Sequence, residues 1–114
     1  MNDLNSLLIE GRLVRDPLMK QTGKGTAVCS FSIANDRYYK TDEGGQKETG
    51  FFDIETWSRV AEAVHGECKK GRAVRVSGRL KQERWQAADG TGRSRVVVVA
   101  DHVDFRPEKK RAKE

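Results

Sequence analysis

Aromatic side chains stand beside cationic side chains at several places in this sequence. The partners of each pair are at most two positions apart, and the pairs are Tyr39/Lys40, Trp57/Arg59 and Trp85/Arg84. A flat ring offers a surface on which another ring can stack, and a nearby cation attracts an anion. Core packing alone would favour aromatic residues away from charge. The pairs therefore predict a ligand that combines unpaired aromatic rings with phosphates.

The segment between Ala73 and Trp85 alternates apolar and polar residues, as a half-buried strand does. We expect its core face to carry Val74, Val76, Gly78 and Leu80, and its opposite face to carry Arg75, Ser77, Arg79, Lys81, Glu83 and Trp85. Trp85 is thus predicted on a cationic surface at the root of the loop QAADGTGRS, where it could stack on unpaired bases. The alternative is that its ring packs against its own hairpin or a neighbouring subunit.

The stretch FFDIETW raises the question of which of its two phenylalanines faces the core. Phe51 and Phe52 are adjacent, so a strand that buries one of them exposes the other. We interpret Phe51 as an outer residue, across from the basic face of the strand that contains Trp85.

The length, composition and net charge of the chain limit the classes of protein to which it could belong. The chain has 114 residues, of which 36% are hydrophobic and 34% charged, and its formal net charge is +5. This length predicts one domain with a modest core. The cationic excess suits solubility alone, and it also suits a polyanionic partner. No apolar run approaches the roughly 20 residues of a membrane-spanning helix, and the N-terminus lacks the features of a signal peptide. The chain is expected to be cytoplasmic.

The two cysteines give no indication of a metal or redox site. Cys29 and Cys68 lie far apart, with neither a CxxC motif nor a Cys/His spacing. Both are predicted to be reduced structural residues rather than a disulfide or metal ligands. No cofactor is expected.

The order of predicted elements indicates the fold. Strands are expected over residues 4–14, 26–36, 51–56, 73–85 and 95–105, with a helix over residues 57–70 that stops at Gly71. Residues 38–50 form either a long hairpin loop or a pair of strand extensions. Five strands with one helix between the third and fourth are typical of an all-β OB-fold, a five-stranded Greek-key barrel. A split sheet with one packed helix is the alternative.

The motifs GRLVRDP, GTAVCSFSIAND, FFDIETWSRVAEAV, KKGRAVRVSGRLKQERW and RVVVVADHVDF occur in an order and with gaps that resemble the bacterial single-stranded DNA-binding proteins. The resemblance covers residues 1–106, the predicted domain. It implies an OB-fold homotetramer in the cytoplasm, associated with the nucleoid. Such a protein binds and protects single-stranded DNA, whatever its sequence, during replication, recombination and repair.

The resemblance also implies roles for individual residues. The stacking residues would be Tyr39, Phe51, Trp57 and Trp85. The phosphate contacts would come from Arg59, Lys69, Lys70, Lys81, Arg84 and Arg93. The loop QAADGTGRS would be a hairpin that folds over the DNA strand.

The sequence departs from this family in two places. Glu83 stands where many relatives have a basic or neutral residue, which should weaken local phosphate contact. Relatives usually continue into a glycine- and proline-rich linker with an acidic tip that recruits replication and repair enzymes. Here residues 107–114, PEKKRAKE, are expected to be a short disordered basic tail, and recruitment through it is not expected.

Other classes of function have less support. The two histidines, His65 and His102, have no candidate nucleophile beside them, and no P-loop or GxGxxG motif is present. Pairs of carboxylates could hold Mg²⁺ for phosphodiester hydrolysis, but acids at strand ends are more often solvated, so no enzyme activity is expected. An OB-fold dimer that acts as a replication-restart adaptor and a specialised paralogue that binds single-stranded DNA stay open. An RNA-binding cold-shock domain is disfavoured, because its aromatic-rich motif is absent from the early strands.

Overall fold

A computed structural model of the chain describes residues 1–107. Its elements are β1 (Leu7–Leu13), β2 (Leu18–Gln21), β3 (Ala27–Thr41), β4 (Gly44–Trp57), α1 (Ser58–Glu67), β5 (Ala73–Gln86) and β6 (Gly92–Phe105). The strands follow the order β1-β5-β6-β4-β3-β2, and an additional pairing of β1 with β3 closes the sheet. The result is a barrel of five strands with one helix between β4 and β5, so the predicted all-β barrel is confirmed. The short strand β2, which was not predicted, pairs with the edge of β3.

The barrel closes where β1 meets two strands at once. Arg12 and Leu13 pair with Ala34 and Ile33 of β3, while Gly11 pairs with Val74 of β5. A Cβ atom at position 11 would lie 2.6 Å from the carbonyl oxygen of Ala34. Glycine is therefore needed at this position because two backbones approach each other closely.

The core fills the barrel and is closed at one end by α1. Leu13, Ile33, Ile54 and Val76 are among its buried side chains, and α1 adds Ala61 and Val64. The helix ends at Glu67, three residues before the predicted end at Lys70. Cys68 leaves the helix in an extended conformation with its side chain buried in the core, and its N–H still donates to the Val64 carbonyl.

Two long hairpins extend beyond the barrel. β3 and β4 stay paired as far as Thr41 and Gly44, so residues 38–50 form strand extensions rather than a long loop. Both strands are therefore longer than predicted, since β3 was expected to end at residue 36 and β4 to begin at residue 51. β5 and β6 stay paired as far as Gln86 and Gly92. The sequence did not reveal these extensions because their residues are mostly polar. A projecting hairpin has no face in the core, so its strands need no alternation of apolar and polar residues.

The extension of β5 also corrects the predicted core. Leu80 was expected in the core with Val74 and Val76, but it is 49% exposed because it lies past the point where the barrel covers that face. Phe52 has the core orientation of β4 and is likewise only partly covered. Between the covered and the projecting halves, the β5–β6 pairing shifts register at Ser77/Gly78.

Two further sequence predictions concern membrane-spanning segments and the C-terminal tail. No helix within residues 1–107 is long and apolar enough to cross a membrane. The predicted disordered tail falls on residues 107–114, and all of it except Pro107 lies outside the described residues. Its disorder stays a prediction.

Candidate nucleic-acid interface

One outer face of the barrel carries several of the predicted site residues. On β4, Ile54 and Thr56 are buried in the barrel, so the alternating residues Phe51, Asp53 and Trp57 point outward. Phe51 is 67% exposed and Trp57 is 38% exposed. The structure therefore places both rings on the outer side of the same strand, as the alternation predicts for Phe51.

β5 and β6 continue this face. Lys81 pairs with Val97 and Trp85 with Arg93, so their side chains share one side of the β5–β6 hairpin. Trp85 is 48% exposed, and its ring lies outside the core. Lys81 is 3.8 Å from the Glu55 carboxylate of β4, which shows that the two strands present the same side. We call this surface the aromatic face, and its predicted site residues are Phe51, Trp57, Lys81, Trp85 and Arg93.

A network of ion pairs occupies the centre of the aromatic face. Lys81 Nζ lies 3.8 Å from Glu55 Oε1 and 4.0 Å from Glu83 Oε2. Arg95 Nε donates to Glu83 Oε1 at 3.0 Å, and Arg95 Nη1 lies 3.6 Å from Asp53 Oδ2. We call Asp53, Glu55 and Glu83, with Lys81 and Arg95, the central charge cluster.

An outward residue of β6 is buried beside the central charge cluster. Val97 is 2% exposed although it lies outside the barrel core cluster. Its register partner is Lys81, which reaches across β6 toward the Glu55 carboxylate. The aliphatic stem of a lysine can cover apolar surface while its ammonium group reaches a polar partner. The cluster therefore ties β4 to the β5–β6 hairpin.

Glu83 is held as an anion by this cluster. The hydrogen bond from Arg95 lowers the pKa of Glu83 below its ordinary value, and the positive charges of Arg95 and Lys81 act in the same direction. Sequence reasoning missed Arg95, although Glu83 and Arg95 are direct register partners in the hairpin. Counting residues outward from the turn would have found the pair.

Trp57 is fixed at the junction between β4 and α1. Its Nε1–H donates to Glu55 Oε1 at 3.0 Å. The next residue, Ser58, has φ +55°, in the left-handed region that residues with a Cβ rarely adopt. The chain thus turns sharply from strand into helix directly after Trp57.

Tyr39 does not join the aromatic face. On β3 the core residues Phe31 and Ile33 have odd numbers, so Tyr39 lies on their side and Tyr38 on the outer side with Ala34, the register partner of Phe51. The Arg37 guanidinium stacks over the Tyr39 ring at 4.9 Å. Tyr38, which is more exposed than Tyr39, is the tyrosine that shares the outer side with Phe51.

The other predicted basic residues are dispersed. Arg84 lies on the opposite side of β5 from Trp85, where it donates to Gln82 Oε1 at 2.7 Å. Arg59 is exposed in the first turn of α1. Lys69 and Lys70 follow the other end of this helix, about 15 Å along its axis, and the Lys70 N–H donates to Asp16 at 2.8 Å.

Each projecting hairpin carries a depression lined by aromatic and cationic side chains. The depression on the β5–β6 hairpin is lined by Arg84, Trp85, Gln86, Gly92, Arg93 and Ser94. The one on the β3–β4 hairpin is lined by Tyr38, Tyr39, Lys40, Gly45, Gln46 and Lys47. Both pair a ring with cations, which is the arrangement that base stacking with phosphate contact requires.

The two cysteines lie in the core rather than on the aromatic face. Within residues 1–107, no group of three or more His, Cys, Asp or Glu side chains could hold a metal ion. Cys29 and Cys68 are free and buried. Burial raises the pKa of the Cys68 thiol to about 11 and raises that of Cys29, which disfavours the nucleophilic thiolate.

Comparison with known proteins identifies the family. The model of the single-strand binding protein family matches residues 4–106, and the chain belongs to this family. The single-stranded DNA-binding protein of Treponema pallidum is 40% identical over 105 residues, which are 92% of this chain and 59% of that protein. Single-stranded DNA-binding protein 3 of Clostridium acetobutylicum is 41% identical over 103 residues, 90% of this chain and 70% of its own length.

Solved structures support the same fold. A Plasmodium falciparum SSB complex with ssDNA matches with a TM-score of 0.85 at 19% identity, covering 94% of this chain and 98% of that one. A deletion mutant of the single-stranded DNA binding protein from Thermus aquaticus matches with a TM-score of 0.80 at 25% identity, covering 91% of this chain and 51% of that one. The predicted OB-fold and the predicted family are both confirmed.

Proposed function

We propose that this chain binds single-stranded DNA without sequence preference and protects it during replication, recombination and repair. Membership of the single-strand binding protein family supports the ligand class. The structural observation that carries the proposal is the exposure of Phe51, Trp57 and Trp85 on the aromatic face, which continues from the barrel onto the β5–β6 hairpin. Exposed rings cost hydration free energy unless a partner covers them, and unpaired bases are suitable partners.

Base stacking would supply the sequence-tolerant part of the affinity. Each stacked base contributes about 1–3 kcal/mol, because every base has a π face. Phe51, Trp57 and Trp85 would form the platforms on the aromatic face. Tyr39 would act separately, on the depression of the β3–β4 hairpin, where Lys40 and Lys47 are also present.

Phosphate contacts would surround the platforms. Arg84 and Arg93 line the same depression as Trp85. Arg93 would contact phosphate from the side of the hairpin that carries Trp85, and Arg84 from the opposite side. Arg59, Lys69 and Lys70 would extend the path along α1. Lys81 would contact phosphate only in competition with Glu55 and Glu83, which it already approaches in the free protein.

The assembly and the cellular setting are part of the same proposal. The resemblance to the family supports a homotetramer that wraps DNA, with the protein in the cytoplasm and associated with the nucleoid. The chain spans 59% of the Treponema pallidum relative, so partners of the longer proteins are not transferred to it. A dimeric adaptor would differ from a wrapping tetramer in mass and in the length of DNA it occludes.

The deciding experiment is a titration of intrinsic tryptophan fluorescence with poly(dT), on protein whose mass is fixed by light scattering. Stacking predicts strong quenching, because Trp57 and Trp85 would lie against bases. A duplex of equal length is the control: it carries about twice as many phosphates, yet it should bind far more weakly, since its bases are already paired. Equal affinity for both ligands would leave a basic patch without stacking and refute the proposal.

A further inference from the structure

Glu55 is a carboxylate in the middle of a surface proposed to bind a polyanion. It lies between Trp57, which follows it on β4, and Lys81, which reaches it from β5. We propose that Glu55 is a positioning residue, which holds the Trp57 ring in the orientation that stacks on a base. This inference rests on the proposed binding of single-stranded DNA and adds a residue to its machinery.

The geometry around Glu55 allows its side chain little freedom. Glu55 Oε1 accepts the Trp57 Nε1–H at 3.0 Å, and the same oxygen lies 3.8 Å from Lys81 Nζ. The Glu55 side chain is only 12% exposed. Its backbone pairs on both sides, with Ser30 of β3 and Val99 of β6. A fixed acceptor on a fixed backbone can orient the donor that binds it.

Trp57 needs such a restraint more than a core tryptophan would. Its ring is partly exposed, and its residue is the last of β4, directly before the left-handed Ser58. An unrestrained aromatic side chain at a surface populates several rotamers, and binding must then select one of them. A ring that is already oriented avoids this entropy cost when the base arrives.

The negative charge of Glu55 gives the inference a sharp test. A carboxylate near bound phosphates repels them, so its charge alone predicts tighter binding when Glu55 is replaced. Positioning predicts the opposite. Glu55→Ala and Glu55→Gln both remove the charge, but the glutamine oxygen can still accept the Trp57 Nε1–H. The difference between these two variants therefore measures positioning without the electrostatic effect.

The experiment measures the affinity of the full chain for oligo(dT) in these two variants. We expect Glu55→Ala to bind about five-fold more weakly than Glu55→Gln, the scale of one lost hydrogen bond. In the Trp57→Phe background, which lacks the indole donor, the two substitutions should give equal affinities. Glu62→Ala and Glu62→Gln, at an exposed position of α1, are the matched controls and should also be equal.

A spectroscopic measurement without DNA completes the test. The Trp57 Nε1–H resonance, assigned by its loss in Trp57→Phe, should move in Glu55→Ala and stay close to the wild-type position in Glu55→Gln. Equal oligo(dT) affinities of the two variants, or an unmoved resonance in Glu55→Ala, would overturn the role of Glu55. Wild-type protein that fails to bind oligo(dT) would instead refute the proposed function, and the stacking role of Trp57 with it.

Discussion

Arg95 and Glu83 face each other directly across the β5–β6 hairpin, with Arg95 Nε 3.0 Å from Glu83 Oε1. Arg95 also approaches Asp53 of β4, at 3.6 Å. A residue expected to weaken DNA binding by its charge is therefore paired with a cation that the resemblance to the family did not single out. Glu83 belongs to the structure that joins the hairpin to the barrel.

The Arg95–Glu83 pair predicts a pH dependence of stability. The pKa of Glu83 is lowered by Arg95, so the unfolded chain takes up a proton at this site at a higher pH than the folded chain does. The stabilising effect is present above the ordinary pKa of glutamate and is lost as pH falls through the lowered value. Glu83→Gln should therefore lose less stability than wild type when pH falls from about 5.5 to about 3, measured by urea unfolding. Equal acid losses in the two proteins would contradict the assignment, and Glu62→Gln on α1 is the control.

Trp85→Ala should weaken binding to oligo(dT) by about 1–3 kcal/mol and leave the fold intact. The reason is that the Trp85 ring is 48% exposed and its removal leaves no core cavity. Trp85→Phe keeps a stacking ring and should retain much of the affinity. Fluorescence anisotropy of labelled DNA and a thermal unfolding curve measure the two effects. A variant that unfolds while it retains wild-type affinity would show that Trp85 is a packing residue.

Salt dependence should distinguish Lys81, which lies close to two carboxylates, from the arginines that line the β5–β6 depression. Arg93→Ala and Arg84→Ala should each reduce the slope of log affinity against log salt by about 0.7, the value for one phosphate contact on a single strand. Lys81→Ala should change the slope less, because Lys81 is already close to Glu55 and Glu83 in the free protein. Titrations with poly(dT) over a range of NaCl concentrations measure these slopes. A full loss of 0.7 for Lys81→Ala would show that it leaves the carboxylates to bind phosphate.

Gly78→Ala should destabilise the barrel by about 2 kcal/mol or more, because close-packed backbone cannot move aside for a methyl group. The added Cβ would collide with the Val99 carbonyl oxygen and lie 3.0 Å from Ala100 Cα. Gly45→Ala is the matched control, since nothing lies within 4 Å of a Cβ at that position. Urea unfolding of both variants gives the comparison. Equal stability of the two variants would show that the bulged pairing at Ser77/Gly78 adapts to a side chain.

The sequence by itself determined the local features of this protein. Alternation along β5 placed Trp85 on the polar side, and the change of period after Trp57 located the helix. These features depend only on the pattern of residues close together in the chain, since the geometry of a strand or a helix assigns each side chain to one face. The combined motifs then indicated the family that comparison confirmed.

Tertiary structure decided which residues lie on the same face. Tyr38 rather than Tyr39 shares the side of Phe51, because β3 continues past the predicted boundary and its alternation continues with it. Lys81 and Arg95 are engaged by carboxylates of β4, a strand separated from them in the chain by the whole of α1. Such pairings depend on the order and register of strands in a closed barrel, which bring residues distant in sequence to the same face. The alternation of residues within one strand does not indicate which other strands lie beside it in the sheet.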